Sequence, residues 1–301
     1  MCDEHTEESN QEFFRNRGDV SRRGIVAAGA ASVVLANLAT VEPADAQTKR
    51  LPVVEMELDI DTPDGKADVH FAVPAFGKHP AVLVWPDIMG LRPAFKSMGK
   101  RLAESGYAVL TINPFYRLQR GQVFDAATEK FSDPPVRQRL VGLMGPTTGD
   151  PENTRKDATA MFEWLDKYPS VDTKKKAGTT GYCMGGPLVM RTAAFLANRI
   201  GAGASFHGGG LYTSNPNSPH LLIPQMKAKN MLFAVAQNDD AQDTTIKDKL
   251  RAEFAKTKIK AEIEVYAAQH GWCPTDSQVY DKALAEKAWT RLLANFKAGL
   301  V

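Results

Sequence analysis

The sequence contains little cysteine, little excess charge of either sign and no long apolar run. Three cysteines in 301 residues are too few for the disulfide framework that stabilises small secreted domains. Lys and Arg number 37 against 35 Asp and Glu, and this balance gives no sign of the basic surface that nucleic-acid binding requires. No stretch reaches the roughly 18 apolar residues that span a bilayer. These absences argue against a disulfide scaffold, a nucleic-acid-binding protein and a membrane-spanning protein.

The first 46 residues differ from the rest of the chain and have the three parts of a secretory signal. A polar start leads to Arg22-Arg23, then to a run of small apolar residues over 27–39, and then to an Ala-x-Ala ending. Paired arginines before an apolar run resemble a twin-arginine signal, which addresses a protein to the twin-arginine export machinery. We therefore expect residues 1–46 to be removed after Ala46, leaving a periplasmic or secreted domain over 47–301. A disordered extension with a chance arginine pair is the alternative.

Strand and helix patterns alternate over more than 200 residues after this signal. Two stretches of alternating apolar and polar residues flank a Thr-Pro-Asp-Gly turn and predict an antiparallel hairpin. Later strands are continuous apolar runs, typical of strands covered on both faces, and they predict one α/β domain with a mostly parallel sheet between helices. Residues 117–150 are irregular, and we interpret them as a cap or loop region over a site. The predicted strands are 53–60, 67–73, 81–85, 107–112, 177–182, 202–207, 230–236 and 261–267, and the predicted helices are 95–105, 154–167, 185–197, 244–256 and 278–297.

A Gly-x-Cys-x-Gly motif joins one predicted strand to the following helix at Gly181-Tyr182-Cys183-Met184-Gly185. In that context the motif is typical of a nucleophile elbow, a sharp turn that exposes a nucleophile at the edge of a sheet. The positive end of a following helix lowers the pKa of a thiol, and its free N–H groups bind anions. We therefore predict that Cys183 is a nucleophile and that the Met184 N–H is an oxyanion donor. A buried structural thiol is the alternative.

Two downstream residues complete a catalytic triad in the order that this fold uses. The acid follows the nucleophile along the chain, and the histidine comes last. Asp239 and His270 each follow a predicted strand, at the sheet edge where open α/β sheets bind ligands. Of the six histidines, His270 is the only one after the aspartate. We favour Asp239 over its neighbour Asp240 as the acid.

Five segments of the sequence together resemble the dienelactone hydrolase family over about residues 52–298. The resemblance implies an α/β-hydrolase fold and a Cys-His-Asp triad. It also implies an acidic residue that helps to generate the thiolate, here Asp87 where the family commonly has glutamate, and a second oxyanion donor at the Ile88 N–H. The segments are Trp85-Pro86-Asp87-Ile88-Met89-Gly90, the elbow with Gly186, Ser205-Phe206-His207-Gly208-Gly209, Gln237-Asn238-Asp239 and His270-Gly271-Trp272.

The resemblance further implies arginines that bind a substrate carboxylate. Arg117 matches one of these positions approximately, whereas Cys273-Pro274-Thr275 stands where the second is expected. Arg92 could compensate for the missing arginine, or it could be a surface arginine at the start of a helix. From this departure we expect a substrate other than the small carboxylated lactone of the family.

These residues predict a cysteine hydrolase that cleaves small-molecule esters or lactones through a thioester acyl-enzyme. A resting thiolate favours activated substrates such as enol esters. The sequence has no Cys and His cluster with zinc-ligand spacing, and we expect neither a metal nor another cofactor. Two alternatives are a periplasmic binding protein on a degenerate hydrolase fold and a redox protein that pairs Cys183 with Cys273.

Overall fold

The computed structural model of the protein describes residue Thr6, residues 8–15 and residues 50–301. Residues 8–15 are helical, and they belong to the segment that the sequence assigns to the export signal. The arginine pair, the apolar run and the predicted cleavage position lie outside the described residues. Within the described ranges, no helix has the length and apolar character needed to cross a membrane.

Eight strands form a single sheet in the order β1-β2-β4-β3-β5-β6-β7-β8. The first two strands form the predicted hairpin, and β2 also pairs antiparallel with β4. All other neighbours are parallel. This mostly parallel sheet with helices confirms the predicted α/β-hydrolase fold. The strands are β1 Val53–Thr62, β2 Gly65–Pro74, β3 Ala81–Trp85, β4 Ala108–Ile112, β5 Ala177–Tyr182, β6 Ile200–Phe206, β7 Asn230–Ala236 and β8 Lys260–Tyr266.

Helices cover both faces of the sheet. Successive side chains of a strand point to opposite faces, so neighbouring residues of β3 pack against different helices. Leu83 packs in one apolar cluster with α3, α4 and α6, whereas Val82 and Val84 pack in another with α1 and α7. A 3₁₀ helix at Pro219–Gln225 was not predicted, and neither was α5. The helices are α1 Pro93–Glu104, α2 Pro134–Gly149, α3 Pro151–Lys167, α4 Gly185–Phe195, α5 Gln237–Gln242, α6 Ile246–Ala255 and α7 Lys282–Gly299.

The region 117–150 is not irregular throughout, because its second half forms α2. This helix escapes sequence analysis because it contains Pro146 and buries only Leu140 and Thr147, so its residues show little helical periodicity. The first half consists largely of turns. Phe124 and Phe131 from that half line the cavity described below.

Two glycines of the elbow occupy positions where no side chain fits. A Cβ at Gly181 would overlap the carbonyl oxygen of Gly185, and a Cβ at Gly185 would overlap that of Trp85. Both clashes involve backbone atoms, which cannot move aside as a flexible side chain can. The sharp strand-to-helix turn therefore requires glycine at both positions.

We expect Gly185→Ala to lower the free energy of unfolding by about 2–3 kcal/mol, because overpacking typically costs 1–3 kcal/mol and here β3 and α4 must separate. Gly142→Ala is a matched control, because a Cβ at Gly142 in α2 would have no neighbour within 4 Å. That variant should be neutral or slightly stabilising. Urea denaturation followed by circular dichroism compares the two, and equal destabilisation would contradict this interpretation.

Candidate active site

Cys183 occupies the turn between β5 and α4 in a strained conformation. Its φ is 52°, in the left-handed region that residues other than glycine rarely adopt. The Cys183 N–H donates to the carbonyl oxygen of Phe206 at 3.0 Å, and the Gly186 N–H donates to the carbonyl oxygen of Cys183 at 3.0 Å. The side chain is 2% exposed. Strain held in place by the surrounding backbone is characteristic of functional positions.

His270 follows β8 and forms an ion pair with Asp239 in the first turn of α5. Its Nδ1 lies 2.9 and 2.8 Å from the two carboxylate oxygens. The backbone N–H of His270 donates to Oδ1 of Asn238 at 2.8 Å, which fixes the loop that carries the ring. Asp240 instead accepts from Lys247 at 2.7 Å. The structure therefore pairs Asp239, rather than Asp240, with His270.

The electrostatic surroundings of His270 favour its charged form. Burial alone would lower the pKa of the imidazole, but Asp239 and Cys183 outweigh this effect and raise the pKa to about 10. Because Asp239 occupies Nδ1, the Nε2 atom is left to interact with the thiol. A carboxylate on one side and a thiol on the other are the partners that a thiolate–imidazolium pair needs.

Asp87 lies buried in the turn after β3, and Arg92 binds both of its carboxylate oxygens. Nη1 and Nη2 of Arg92 donate to Oδ1 and Oδ2 at 2.7 and 3.1 Å. The same guanidinium donates from Nε and Nη2 to Asp276, at 2.7 and 3.0 Å. Burial raises the pKa of Asp87, Arg92 opposes that effect, and Cys183 lies near enough to act on it. Asp87 is therefore next to the thiol, as the resemblance implies, but it is held by an arginine.

Neither arginine expected to bind a substrate carboxylate is available for that role in the structure. Arg92 is 1% exposed and fully engaged by two aspartates, and so it is not a surface arginine either. Arg117 does not line the catalytic cavity, because Asp157 on α3 and Asp64 in the β1–β2 turn bind it, at 2.8 and 3.0 Å. In both cases a carboxylate distant in the sequence binds the guanidinium.

The two expected oxyanion donors lie close to Cys183. Ile88, Met184 and Cys183 belong to one apolar cluster. Ile88 sits in a turn closed by the Gly90 N–H, which donates to the carbonyl oxygen of Asp87 at 2.9 Å. Among the backbone hydrogen bonds of the described residues, neither the Ile88 N–H nor the Met184 N–H is a donor. Unengaged N–H groups beside a nucleophile are what an oxyanion hole requires.

One cavity of about 180 Å³ brings these side chains together. Asp87, Cys183 and His270 lie in its wall with several apolar side chains. Among the described residues, Lys130 is the only lysine or arginine in the lining, against three carboxylates. The apolar lining residues are Phe14, Ile88, Met89, Phe124, Ala126, Phe131 and Val279, and the carboxylates are Asp87, Glu129 and Asp276.

Two features of this cavity were not predicted from the sequence. His207, which follows β6, lies in its wall, although the sequence signalled it only as part of the Ser-Phe-His-Gly-Gly segment. The N-terminal segment, defined as Thr6 and residues 8–15, also lines the cavity through Thr6, Asn10 and Phe14. No sequence signal relates that segment to the site.

Cys183 and Cys273 are both free thiols in the structure. Cys273 belongs to the apolar cluster that contains Tyr266 and Trp272, whereas Cys183 belongs to a different apolar cluster. Burial raises the pKa of the Cys273 thiol well above its usual value, which makes it unreactive. The structure therefore gives no support to a redox pair of these two cysteines.

Comparisons with known proteins find relatives in sequence and in fold. The sequence model of the "Dienelactone hydrolase family" matches residues 68–300. A Saccharolobus solfataricus protein named "Putative carboxymethylenebutenolidase" is 26% identical over 79% of this chain and 96% of its own. A Bradyrhizobium protein named "Probable 2-oxo-3-(5-oxofuran-2-ylidene)propanoate lactonase" is 27% identical over 72% of this chain and 83% of its own. A crystal structure of a "Putative Dienelactone Hydrolase" from Klebsiella pneumoniae covers 81% of this chain and 98% of its own, with a TM-score of 0.67 and 22% identity, and shows the shared fold.

Proposed function

Because the chain belongs to the dienelactone hydrolase family and is a hydrolase of ester or lactone bonds, we propose that it cleaves activated carboxylic esters or lactones through a thioester on Cys183. The observation that carries this proposal is the position of Cys183. A buried cysteine at a φ of 52°, beside a histidine that a carboxylate keeps charged, combines a strained nucleophile with its base.

In the resting site the Cys183 proton already lies on Nε2 of His270, which Asp239 holds in position, and the reaction begins from this thiolate–imidazolium pair. The thiolate attacks the carbonyl carbon, and the N–H groups of Met184 and Ile88 bind the developing oxyanion. Collapse of this intermediate breaks the C–O bond, and His270 returns its proton to the leaving oxygen. His270 then takes a proton from water, whose oxygen attacks the thioester and releases the acid.

The nucleophile determines which esters react well. A thiolate stabilised at rest is also a good leaving group, and so the tetrahedral intermediate partitions back to substrate unless the alcohol leaves easily. Enol and aryl esters meet this condition because their leaving oxygens are stabilised anions. Plain alkyl esters do not, and we expect them to be poor substrates.

The charge of the cavity favours an uncharged substrate. Three carboxylates and one lysine line it, and each carboxylate is already paired, since Arg92 binds Asp87 and Asp276 and Arg139 binds Glu129. Among the described residues no arginine lines the cavity, so a substrate carboxylate would leave water without an arginine partner, and burial of an unpaired charge disfavours binding.

We expect kcat/KM for p-nitrophenyl butyrate to exceed that for the p-nitrophenyl monoester of succinic acid by about tenfold or more, because a carboxylate that leaves water without a partner binds less well, and tenfold corresponds to about 1.4 kcal/mol. The two esters share a leaving group and have acyl groups of similar size, so their main difference is the carboxylate. Initial rates, corrected for the spontaneous hydrolysis that the succinate carboxylate promotes, give the ratio. Faster turnover of the anionic ester would show that a cation, such as Lys130, governs recognition.

Alkylation tests the proposed nucleophile. Treatment with iodoacetamide should abolish hydrolysis of p-nitrophenyl acetate in step with the appearance of one label on Cys183, located by peptide mass spectrometry. A competing ester should slow both processes equally. Full activity after complete labelling of Cys183 would overturn the proposal.

Export is a separate proposal that rests on the sequence of residues 1–46. Cleavage after Ala46 would leave a chain that contains the whole matched family range and all the residues of the proposed triad. Amino-terminal sequencing of the protein recovered from cell fractions tests it. A periplasmic or secreted form beginning at Gln47 is expected.

A further inference from the structure

His207 is a second buried imidazole at the catalytic centre. It follows β6 with a φ of 41°, and its backbone N–H donates to the carbonyl oxygen of Ala234 at 2.8 Å. Together with Cys183, it is one of two residues other than glycine with positive φ among the described residues. Two residues with strained backbones therefore line one cavity, and such residues cluster at functional sites.

The ring of His207 is packed on three sides by other rings. Its centroid lies 4.9 Å from that of His270, 5.1 Å from that of Trp272 and 6.0 Å from that of Tyr182. The side chain is 1% exposed, and within the described residues neither ring nitrogen has a hydrogen-bond partner of normal geometry. A phenylalanine would fill this space without burying two polar atoms, whose desolvation is costly when they are unpaired.

Cys183 lines the same cavity as His207. Burial lowers the pKa of His207, and an interaction with Cys183 opposes that effect. His270 and Asp239 also act on His207, in opposite directions. His207 is thus neutral at a pH where His270 is charged, and a neutral imidazole keeps one N–H to donate.

We propose that His207 is a further catalytic residue, which donates a hydrogen bond from its neutral ring to the Cys183 thiolate. The proposal rests on Cys183 being the nucleophile. In the proton transfer, the thiol proton moves to Nε2 of His270, and His207 gains and loses no proton. The hydrogen bond from the His207 N–H to the sulfur shortens when the sulfur carries the negative charge, because a charge-assisted hydrogen bond is shorter and stronger than a neutral one.

The pH dependence of Cys183 alkylation tests this role. We expect His207→Leu to raise the midpoint of the alkylation profile by about one pH unit, a tenfold loss of thiolate below the midpoint. His207→Asn is the matched control, because it has the same size as leucine, retains an N–H donor and tolerates positive φ. It should keep the midpoint near that of the unmodified protein. Peptide mass spectrometry restricts the measurement to Cys183.

The outcomes separate this proposal from the proposed function. If Cys183 of the unmodified protein resists alkylation, the nucleophile itself is wrong. If it is alkylated at low pH and His207→Leu has the same midpoint, only the role of His207 is wrong.

Should the leucine variant fail to fold, nitrogen NMR of labelled histidine in the unmodified protein decides. We expect His207 to stay neutral from pH 6 to 9, with a ring shift that changes on Cys183→Ala, and a protonated or unresponsive His207 would overturn the proposal.

A second inference concerns the mouth of the same cavity, which the N-terminal segment covers. Nδ2 of Asn10 donates to the carbonyl oxygen of His270 at 3.1 Å, and Nδ2 of Asn238 donates to Oδ1 of Asn10 at 3.3 Å. Nε2 of Gln242 donates to Oγ1 of Thr6 at 3.0 Å, and Thr6 is buried. The N-terminal segment thus contacts the backbone of His270 and the side chain of Asn238, which precedes Asp239.

We infer that this surface on α5 and the His270 loop is a docking site for the chain's own N-terminal segment, which obstructs substrate entry while it is attached. Asn10 forms the polar contact and Phe14 the apolar one. The segment belongs to residues 1–46, and so the proposed cleavage would remove it. The full chain would then be less active than the exported enzyme.

Asn10→Ala in the full chain tests the docking site without any truncation. Loss of its two hydrogen bonds should increase kcat/KM by a factor of roughly 5–30, the ratio that corresponds to one or two kcal/mol. Glu12→Ala is the control, because Glu12 is exposed on the same helix, and it should leave kcat/KM unchanged. An unchanged or lower kcat/KM in Asn10→Ala would overturn the inference, since it would mean that the segment does not obstruct the site.

Discussion

Cys183→Ala is expected to reduce kcat for p-nitrophenyl acetate by a factor of about 10⁴ or more, because loss of a covalent nucleophile removes the acyl-enzyme route altogether. The oxyanion donors and the cavity remain in this variant. A small residual rate over the uncatalysed reaction should therefore persist. Steady-state kinetics of purified protein, with the fold checked by circular dichroism, gives the factor.

Cys273→Ala is the matched control for this variant. Both cysteines are buried and free, but only Cys183 lies in the catalytic cavity. We expect the control to lose some stability through a small cavity while keeping kcat within a few-fold of the unmodified protein. Comparable loss of activity in both variants would point to the redox alternative. Retained activity in Cys183→Ala would exclude the cysteine mechanism.

Asp239→Asn is expected to lower kcat/KM by a factor of about 10²–10⁴, the range in which general acid–base catalysis contributes. Asp239 contributes most to raising the pKa of His270 to about 10. Without that carboxylate, burial dominates and the pKa falls, so His270 no longer holds the proton from Cys183. Asp240→Asn is the control, because Asp240 pairs with Lys247 and does not contact His270.

The same pKa shift makes a signed prediction about stability. A group whose pKa is raised on folding stabilises the protein below its unfolded pKa, about 6.5 for histidine. This contribution is lost as the pH rises through about 10. The unmodified protein should therefore lose more stability than Asp239→Asn between pH 7 and 10. Urea denaturation at both pH values measures this difference, and equal losses would show that His270 is not charged at neutral pH.

Local sequence rules predicted the fold, and they singled out Cys183, Asp239 and His270, which the structure brings together. Buried strands such as Ala81–Trp85 are continuous apolar runs, and the Gly-framed turn at Cys183 has steric requirements that only glycine meets. The positions of Asp239 and His270 follow from the same rule, because the carboxyl ends of parallel strands meet at one edge of the sheet.

Tertiary pairings could not be predicted from those rules. Arg92 meets Asp276 across 184 residues, and Arg117 meets Asp157 across 40, so no local pattern shows that both guanidinium groups are already engaged. His207 lacks a signal of its own because its burial depends on rings from β5 and from the His270 loop. The contact between Asn10 and His270 joins residues 260 positions apart, and only the folded structure shows it.

Capture of the acyl-enzyme is the decisive test of covalent catalysis by Cys183. Protein mixed with excess p-nitrophenyl acetate and quenched in acid during turnover should carry one acetyl group, and peptide mass spectrometry should locate it on Cys183 as a thioester that hydroxylamine removes. We expect this adduct to form and decay fast enough to support kcat. An acetyl group on another residue, or an adduct on Cys183 that decays too slowly for turnover, would contradict it.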